Sequence, residues 1–226
     1  MDFTWALPYP EIHKICVLFE RSELSNPKKW SYSPLQSHKQ EGPQCGLVAL
    51  AMLIRNSNND SINIIYQYAK KEGFTLNGEI FSVNYMKQLA VNFLKDRKIE
   101  VYSGPLNSHK IEQFLFEGGA LLVPYDTDKD NSPGLHNGHK AHWCVISGAV
   151  QTENTLFVLA RHGKSKNIAI WNIDILSQSN QQLHEFSPDR KLQNIEYMLP
   201  EGGISGPLGL NGRSILIHPK NDISTF

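Results

Sequence analysis

Two side chains stand out in this sequence for what they could do together. Cys45 lies in QEGPQCGLVAL, where Gly42, Pro43 and Gly46 make a turn, after which Leu47, Leu50, Ala51 and Ile54 recur at helical spacing. Its sulfur is therefore expected in the first turn of a helix, where unpaired backbone N–H groups favour thiolate over thiol and lower the pKa. The same N–H groups can hold a developing oxyanion, and the side-chain amide of Gln40, five residues upstream, can add a donor to that hole. His142, in GHKAHWCVISG, stands immediately before an apolar β run that would hold an imidazole rigidly at a sheet end, as a general base requires. His139 is the rival base, but it sits in a polar loop that positions it less firmly. A cysteine at a helix start followed by a histidine at a strand start is the layout a cysteine hydrolase needs. Asp126 and Asp128, closing the run ALLVPYDTD, could orient the imidazole, although carboxylates after a strand usually form solvated turns. The third member of a triad stays open.

Plainer roles compete with each of these. A helix-start cysteine can simply be a small packing residue, and Cys144, which alternates with His142 on the same face of the pleat, reads as a core cysteine on a strand. His136, His139 and His142 with Cys144 are dense enough to suggest zinc, but they lie in a loop running into a strand, with no HExxH or CxxC pattern, and no metal is expected. His13, His38, His109, His162, His184 and His218 lack any partner pattern and default to surface or structural roles. Three widely spaced cysteines, Cys16, Cys45 and Cys144, form neither a disulfide framework nor a zinc motif, which fits a reducing compartment.

The elements that must position Cys45 and His142 follow from periodicity and turn chemistry. Residues 1–38, punctuated by Pro8, Pro10, Pro27 and Pro34, are expected to form an irregular arm anchored by Trp5 and Trp30, ahead of one domain over 39–220. Beyond the Cys45 helix, three helical patterns run from Ile62 to Lys71, from Val83 to Leu94 behind Ser82 as N-cap, and from Ser108 to Phe116. After Gly119 the texture turns to consecutive antiparallel strands at 120–125, 142–150, 155–161 and 167–173. A helical or irregular stretch follows around 174–184, with further β-like segments at Glu196–Leu199 and Ser214–His218. The glycine-rich PEGGISGPLGLNG between them lacks phosphate-loop spacing and reads as a loop. The fold class is α+β, a helical first half packed on a mostly antiparallel sheet.

Composition excludes other classes of function. In 226 residues, 22 Lys and Arg balance 22 Asp and Glu, so no global field draws the chain to nucleic acid or anionic lipid. No run approaches the roughly 18 apolar residues that span a bilayer, so no membrane partner is expected. The N-terminus, with Asp2, Glu11 and two prolines, is unlike a secretory signal, and the cytosol is the expected location.

The blocks QEGPQCGLVAL (40–50), GEIFSVNYMKQLA (78–90), LLVPYD (121–126), GHKAHWCVISG (138–148), GKSKNIAIW (163–171), SNQQLHEFSPDR (179–190) and PLGLNGRSIL (207–216) resemble the actin maturation protease family, whose character is that of papain-like and bacteriocin-processing-type cysteine peptidases. The resemblance implies a cytoplasmic thiol aminopeptidase, with no cofactor, that removes the N-acetylated first residue, Met or Cys, of immature actin. It places the nucleophile on Cys45, the base on His142 and the motif glutamine on Gln40, one residue closer to the cysteine than in papain-like enzymes more broadly. An acetylated terminus carries no charge, which suits the carboxylate-poor sequence around Cys45. Actin's acidic N-terminus would favour Lys140, Arg161, Lys164 and Lys166 near the cleaved bond. The same Cys/His layout could run acyl transfer or deamidation, or survive in an inactive papain-like binding module.

Overall fold

Strands that read as nearly continuous apolar runs are those a sheet buries on both faces, and the sheet of this protein is built around two of them. The computed structural model describes residues 1–192 and 194–220. In chain order the elements are α1 (Pro10–Leu18), β1 (Lys29–Tyr32), α2 (Cys45–Ala51), α3 (Asn59–Lys71), α4 (Val83–Phe93), β2 (Ile99–Ser103), α5 (His109–Phe116), β3 (Ala120–Thr127), β4 (Pro133–Gly134), β5 (Ala141–Gln151), β6 (Leu156–His162), β7 (Ala169–Asn172), α6 (Ile173–Gln181), α7 (Pro188–Leu192) and β8 (Arg213–Ile217). The strands form one antiparallel sheet in the order β2-β8-β3-β5-β6-β7, with β4 beside the end of β3 and β1 beside the far end of β5. Every residue of β3 is buried, as are all but the two ends of β5. The α+β class read from the sequence is the architecture observed.

Alternation along these strands sorts the core into two layers. Leu122, Trp143, Val145, Ile215 and Ile217 face α2, α3 and α4, whereas Leu121, Val123, Tyr125, Cys144 and Ile146 face α5 and α6. The helices start where side chains cap them: Asn58 and Ser61 form a reciprocal capping box at α3, and Ser82 and Ser108 accept backbone N–H groups at α4 and α5. Asn172 does the same for α6, so the stretch after β7 is a regular helix.

The first 38 residues carry regular elements as far as Tyr32, and residues 33–38 are irregular. Proline starts α1 at its first position, where a missing N–H costs nothing, and Ile12, Cys16 and Leu24 pack on Phe157, Leu159 and Ile170 of β6 and β7. Trp5 is buried, with its indole N–H donating to the Leu24 carbonyl at 2.9 Å. Trp30 stays half exposed, its ring 5.8 Å from that of Trp5. β2 falls where no strand is expected, and Glu196–Leu199 forms no strand. No helix among the described residues is long and apolar enough to cross a membrane.

β1 lies alongside β5 at Tyr32↔Gly148 through Lys29↔Gln151, just past the point where β3 leaves off at Ile146. This pairing needs glycine at 148, because a Cβ there would press on the Ser31 carbonyl oxygen and lie 2.9 Å from the Tyr32 Cα. Gly148→Ala is therefore expected to lift β1 from the sheet and cost about 1–3 kcal/mol by urea unfolding. Trypsin should then cut at Lys28 and Lys29 earlier than in wild type.

Candidate active site

A cavity of about 410 Å³ opens where the start of α2 meets the start of β5, and Gln40, Cys45 and His142 all line it. Cys45 is the first residue of α2, whose residues are all buried. The helix can lie this close to the sheet because residue 46 is glycine, where a Cβ would stand 2.7 Å from the Met86 methyl and 3.1 Å from the Trp143 ring. Trp143 is fixed in turn by its indole N–H, which donates to the Ile80 carbonyl at 2.8 Å. Cys45 is thereby brought to the backbone N–H of Trp143, the residue after His142.

Burial dominates the electrostatics of both groups. It raises the Cys45 thiol above its ordinary value, against the opposing pull of the Trp143 and Gly46 N–H groups and the cations Arg190 and Lys164. The helix start does not deliver the lowered thiol pKa expected from the sequence, because a fully enclosed sulfur loses more hydration than a seven-residue helix end returns. Burial likewise holds His142 well below the usual histidine range, reinforced by Lys164, His162 and Arg190. At rest the cavity holds a neutral thiol and a neutral imidazole.

Gln40 is pinned by its backbone N–H to the Gly163 carbonyl at 2.8 Å, and its side-chain amide donates to the Gly42 carbonyl at 3.0 Å. That bond fixes which end of the amide is the donor. His139 lines the cavity but bonds the Glu185 carboxylate at 3.1 Å.

The two aspartates do other work. The buried Asp126 carboxylate accepts the backbone N–H groups of His136, Gly138 and Lys140 at 2.7–2.9 Å and the Gln182 amide at 2.6 Å, so it ties down the loop leading into β5. Asp128 is half exposed and sits 3.5 Å from His136. Neither hydrogen-bonds His142, whose buried Nε2 has no hydrogen-bond partner among the described residues. Cys144 donates to the Val123 carbonyl in the core, where burial pushes its thiol well above the ordinary value, and no three metal-ligating side chains cluster among the described residues.

Further residues reach the cavity without a sequence signal. Glu79, with 11% of its side chain exposed, lines it beside Arg190, 3.4 Å away, so the pocket is not free of carboxylate. Lys140 and Lys164 line it as well, but Arg161 is buried and paired with Glu11 of α1. His162, read from the sequence as structural, lies with its ring centroid 5.9 Å from that of His142. Strand register could have found it, since Cys144 pairs with His162 across β5 and β6.

Comparison with known proteins puts the chain in a class of peptidases: residues 35–150 match the family model described as actin maturation protease-like, C-terminal domain. It is 43% identical over 226 residues to the actin maturation protease of Drosophila melanogaster, covering 98% of this chain and 84% of that one. It is 34% identical to the proteins of that name from Mus musculus and Danio rerio, with 82% and 81% of this chain covered, and 63% and 72% of theirs. The chain belongs to the actin maturation protease family.

Two buried neutral histidines carry a pH signature. His142 is held well below the ordinary histidine pKa and His162 is held at about 4. Below about pH 6.5 the unfolded chain takes up protons that the folded chain refuses, so stability falls as pH drops through this range. In urea titrations the stability lost between pH 7 and pH 5 should be smaller in His142→Phe than in wild type.

Proposed function

We propose that the chain is a cytoplasmic cysteine-type aminopeptidase that removes the N-acetylated first residue, Met or Cys, from immature actin, with Cys45 as nucleophile and His142 as base. The observation that carries this reading is that the two side chains line one cavity in a chain whose relatives bear the name actin maturation protease. In this reading residues 39–220 are the catalytic unit, of papain-like type, and residues 1–38 buttress it.

The chemistry starts from a neutral pair. As the substrate carbonyl enters, the Cys45 proton passes to His142 while sulfur bonds to the carbonyl carbon, the general-base route of a buried nucleophile. The negative charge that develops on oxygen is met by backbone N–H groups at the start of α2 and by the Gln40 amide. His142 then gives its proton to the leaving amine, the C–N bond breaks, and water releases the acetylated amino acid from the thioester. Lys164 and Arg190 favour the charge-separated state on its anionic side, since both lower the Cys45 pKa.

The rim is basic in a chain of balanced charge. Lys129, Lys140, Lys164 and Arg190 face Asp128 and Glu79, and Arg190 already partners Glu79. The lysines suit acidic residues following the cleaved bond. Lys164→Glu should lower kcat/KM about tenfold on an N-acetylated peptide whose second to fourth residues are acidic, with little change when those residues are neutral, a result read from initial rates.

The deciding experiment is mass spectrometry of an N-acetylated actin-like peptide and of folded actin, incubated with wild type and with Cys45→Ala. Loss of the acetylated first residue with wild type alone supports the reading, and activity surviving in Cys45→Ala removes Cys45 as nucleophile. Transfer of the acyl group to an added amine would indicate acyl transfer, and deamidated product a deamidase. Silence on both substrates would overturn the aminopeptidase reading and leave a binding module.

A further inference from the structure

A Cys/His site needs its imidazole held at one angle, and among the described residues no carboxylate or amide hydrogen-bonds it. Asp126 is committed to three loop N–H groups and Gln182, Asp128 lies beside His136, and the buried Nε2 of His142 has no hydrogen-bond partner. What surrounds His142 instead is a set of rings on the sheet face opposite Trp143. The Tyr125 ring meets it edge to face at 5.7 Å and 76°, and the His162 ring at 5.9 Å and 73°. Both lie within the 4.5–7 Å range at which edge-to-face pairs attract.

His162 is itself immobilised. It is 3% exposed, stacks on Trp171 at 5.8 Å and 13°, and its Nδ1 accepts the Lys164 backbone N–H at 3.3 Å. Tyr125 packs on the same Trp171 at 5.2 Å and anchors its hydroxyl on the Asn131 carbonyl at 3.1 Å. Trp171 is therefore a common wall for the two rings that touch His142.

We infer that His162 is the positioning residue for His142, setting the plane of the catalytic imidazole by ring contact, so that the site works as a Cys/His pair braced by a neutral ring instead of as a triad. The inference rests on the reading of His142 as the base. A brace of this kind carries no charge near neutral pH, because burial keeps His162 unprotonated down to about pH 4. It leaves His142 facing the cations Lys164 and Arg190, the latter paired with Glu79, which accords with its depressed basicity.

The test uses the full chain and the N-acetylated peptide above, with His162→Leu, which removes the ring at similar bulk, and His162→Phe, which restores a ring without nitrogens. Cys45→Ala and His142→Ala serve as controls. His162→Leu should lose about 10²-fold in kcat with KM within about threefold of wild type, as expected when a reacting group is misaimed while binding persists. His162→Phe should recover most of that loss, and the acid limb of its pH–rate profile should stay where wild type has it. Wild-type kcat in His162→Leu, or His162→Phe as poor as His162→Leu, would overturn the ring brace while inactive controls left the Cys/His pair standing. Activity surviving in His142→Ala would remove the base and the brace together. Should His162→Leu melt well below wild type, ring-proton NMR of wild type decides. Cross-peaks from His142 to both His162 and Tyr125 in a single rotamer are expected, and rotameric averaging would refute the brace.

Discussion

The contact on which the site depends is that of α2 against Trp143. A tryptophan on a central strand is a large obstacle to a helix, and the chain resolves this by putting glycine at residue 46 and anchoring the indole on Ile80. The approach brings the sulfur of Cys45 to the backbone of β5 next to His142. It also buries most of the cysteine, so the geometry that assembles the pair suppresses the ionisation of the thiol at rest. Proximity and desolvation are two results of one packing event, and any substitution that relaxed the second would loosen the first.

A second constraint acts on the loop that leads into β5. Charge-assisted hydrogen bonds from backbone N–H groups to a carboxylate are among the stronger polar interactions in proteins. Asp126 gathers three of them from alternate residues, 136, 138 and 140, within the last few positions before His142. Its own backbone is locked to Ser179 of α6 through N–H and carbonyl alike. The loop is thus referenced to the far side of the sheet, and a histidine at the end of a polar, glycine-containing segment acquires the precision of a strand residue.

Much of this was legible in the chain. Helical spacing after Cys45, serine caps at 82 and 108 and the apolar runs 120–125 and 142–150 announce their elements, because each is decided locally. What was hidden depends on contacts distant in sequence. The arm folds because α1 finds β6 and β7, whereas its four prolines speak only of local conformation. The thiol basicity turns on how completely α2 is enclosed, which no helix-start rule contains. Asp126 looked like a turn former or a triad partner, and only the placement of three amides shows it to be a loop anchor. Glu79 and His162 carry no motif: Glu79 lines the cavity beside Arg190, and His162 meets the His142 ring through the register of β5 and β6.

The pairing of β1 with β5 has a meaning beyond anchoring the arm. β3 covers one edge of β5 as far as Ile146, and β1 takes over that edge from Gly148 to Gln151. Strip β1 away and four residues of a long, flat, apolar strand present bare amides and carbonyls to solvent, the geometry through which chains recruit one another into aggregates. Were α1 lost as well, Glu11 would go with it, and the Arg161 guanidinium would remain enclosed without its anion. The first 38 residues are in that sense the molecule's protection against self-association, and a boundary drawn at residue 38 would separate an enzyme from its own solubility.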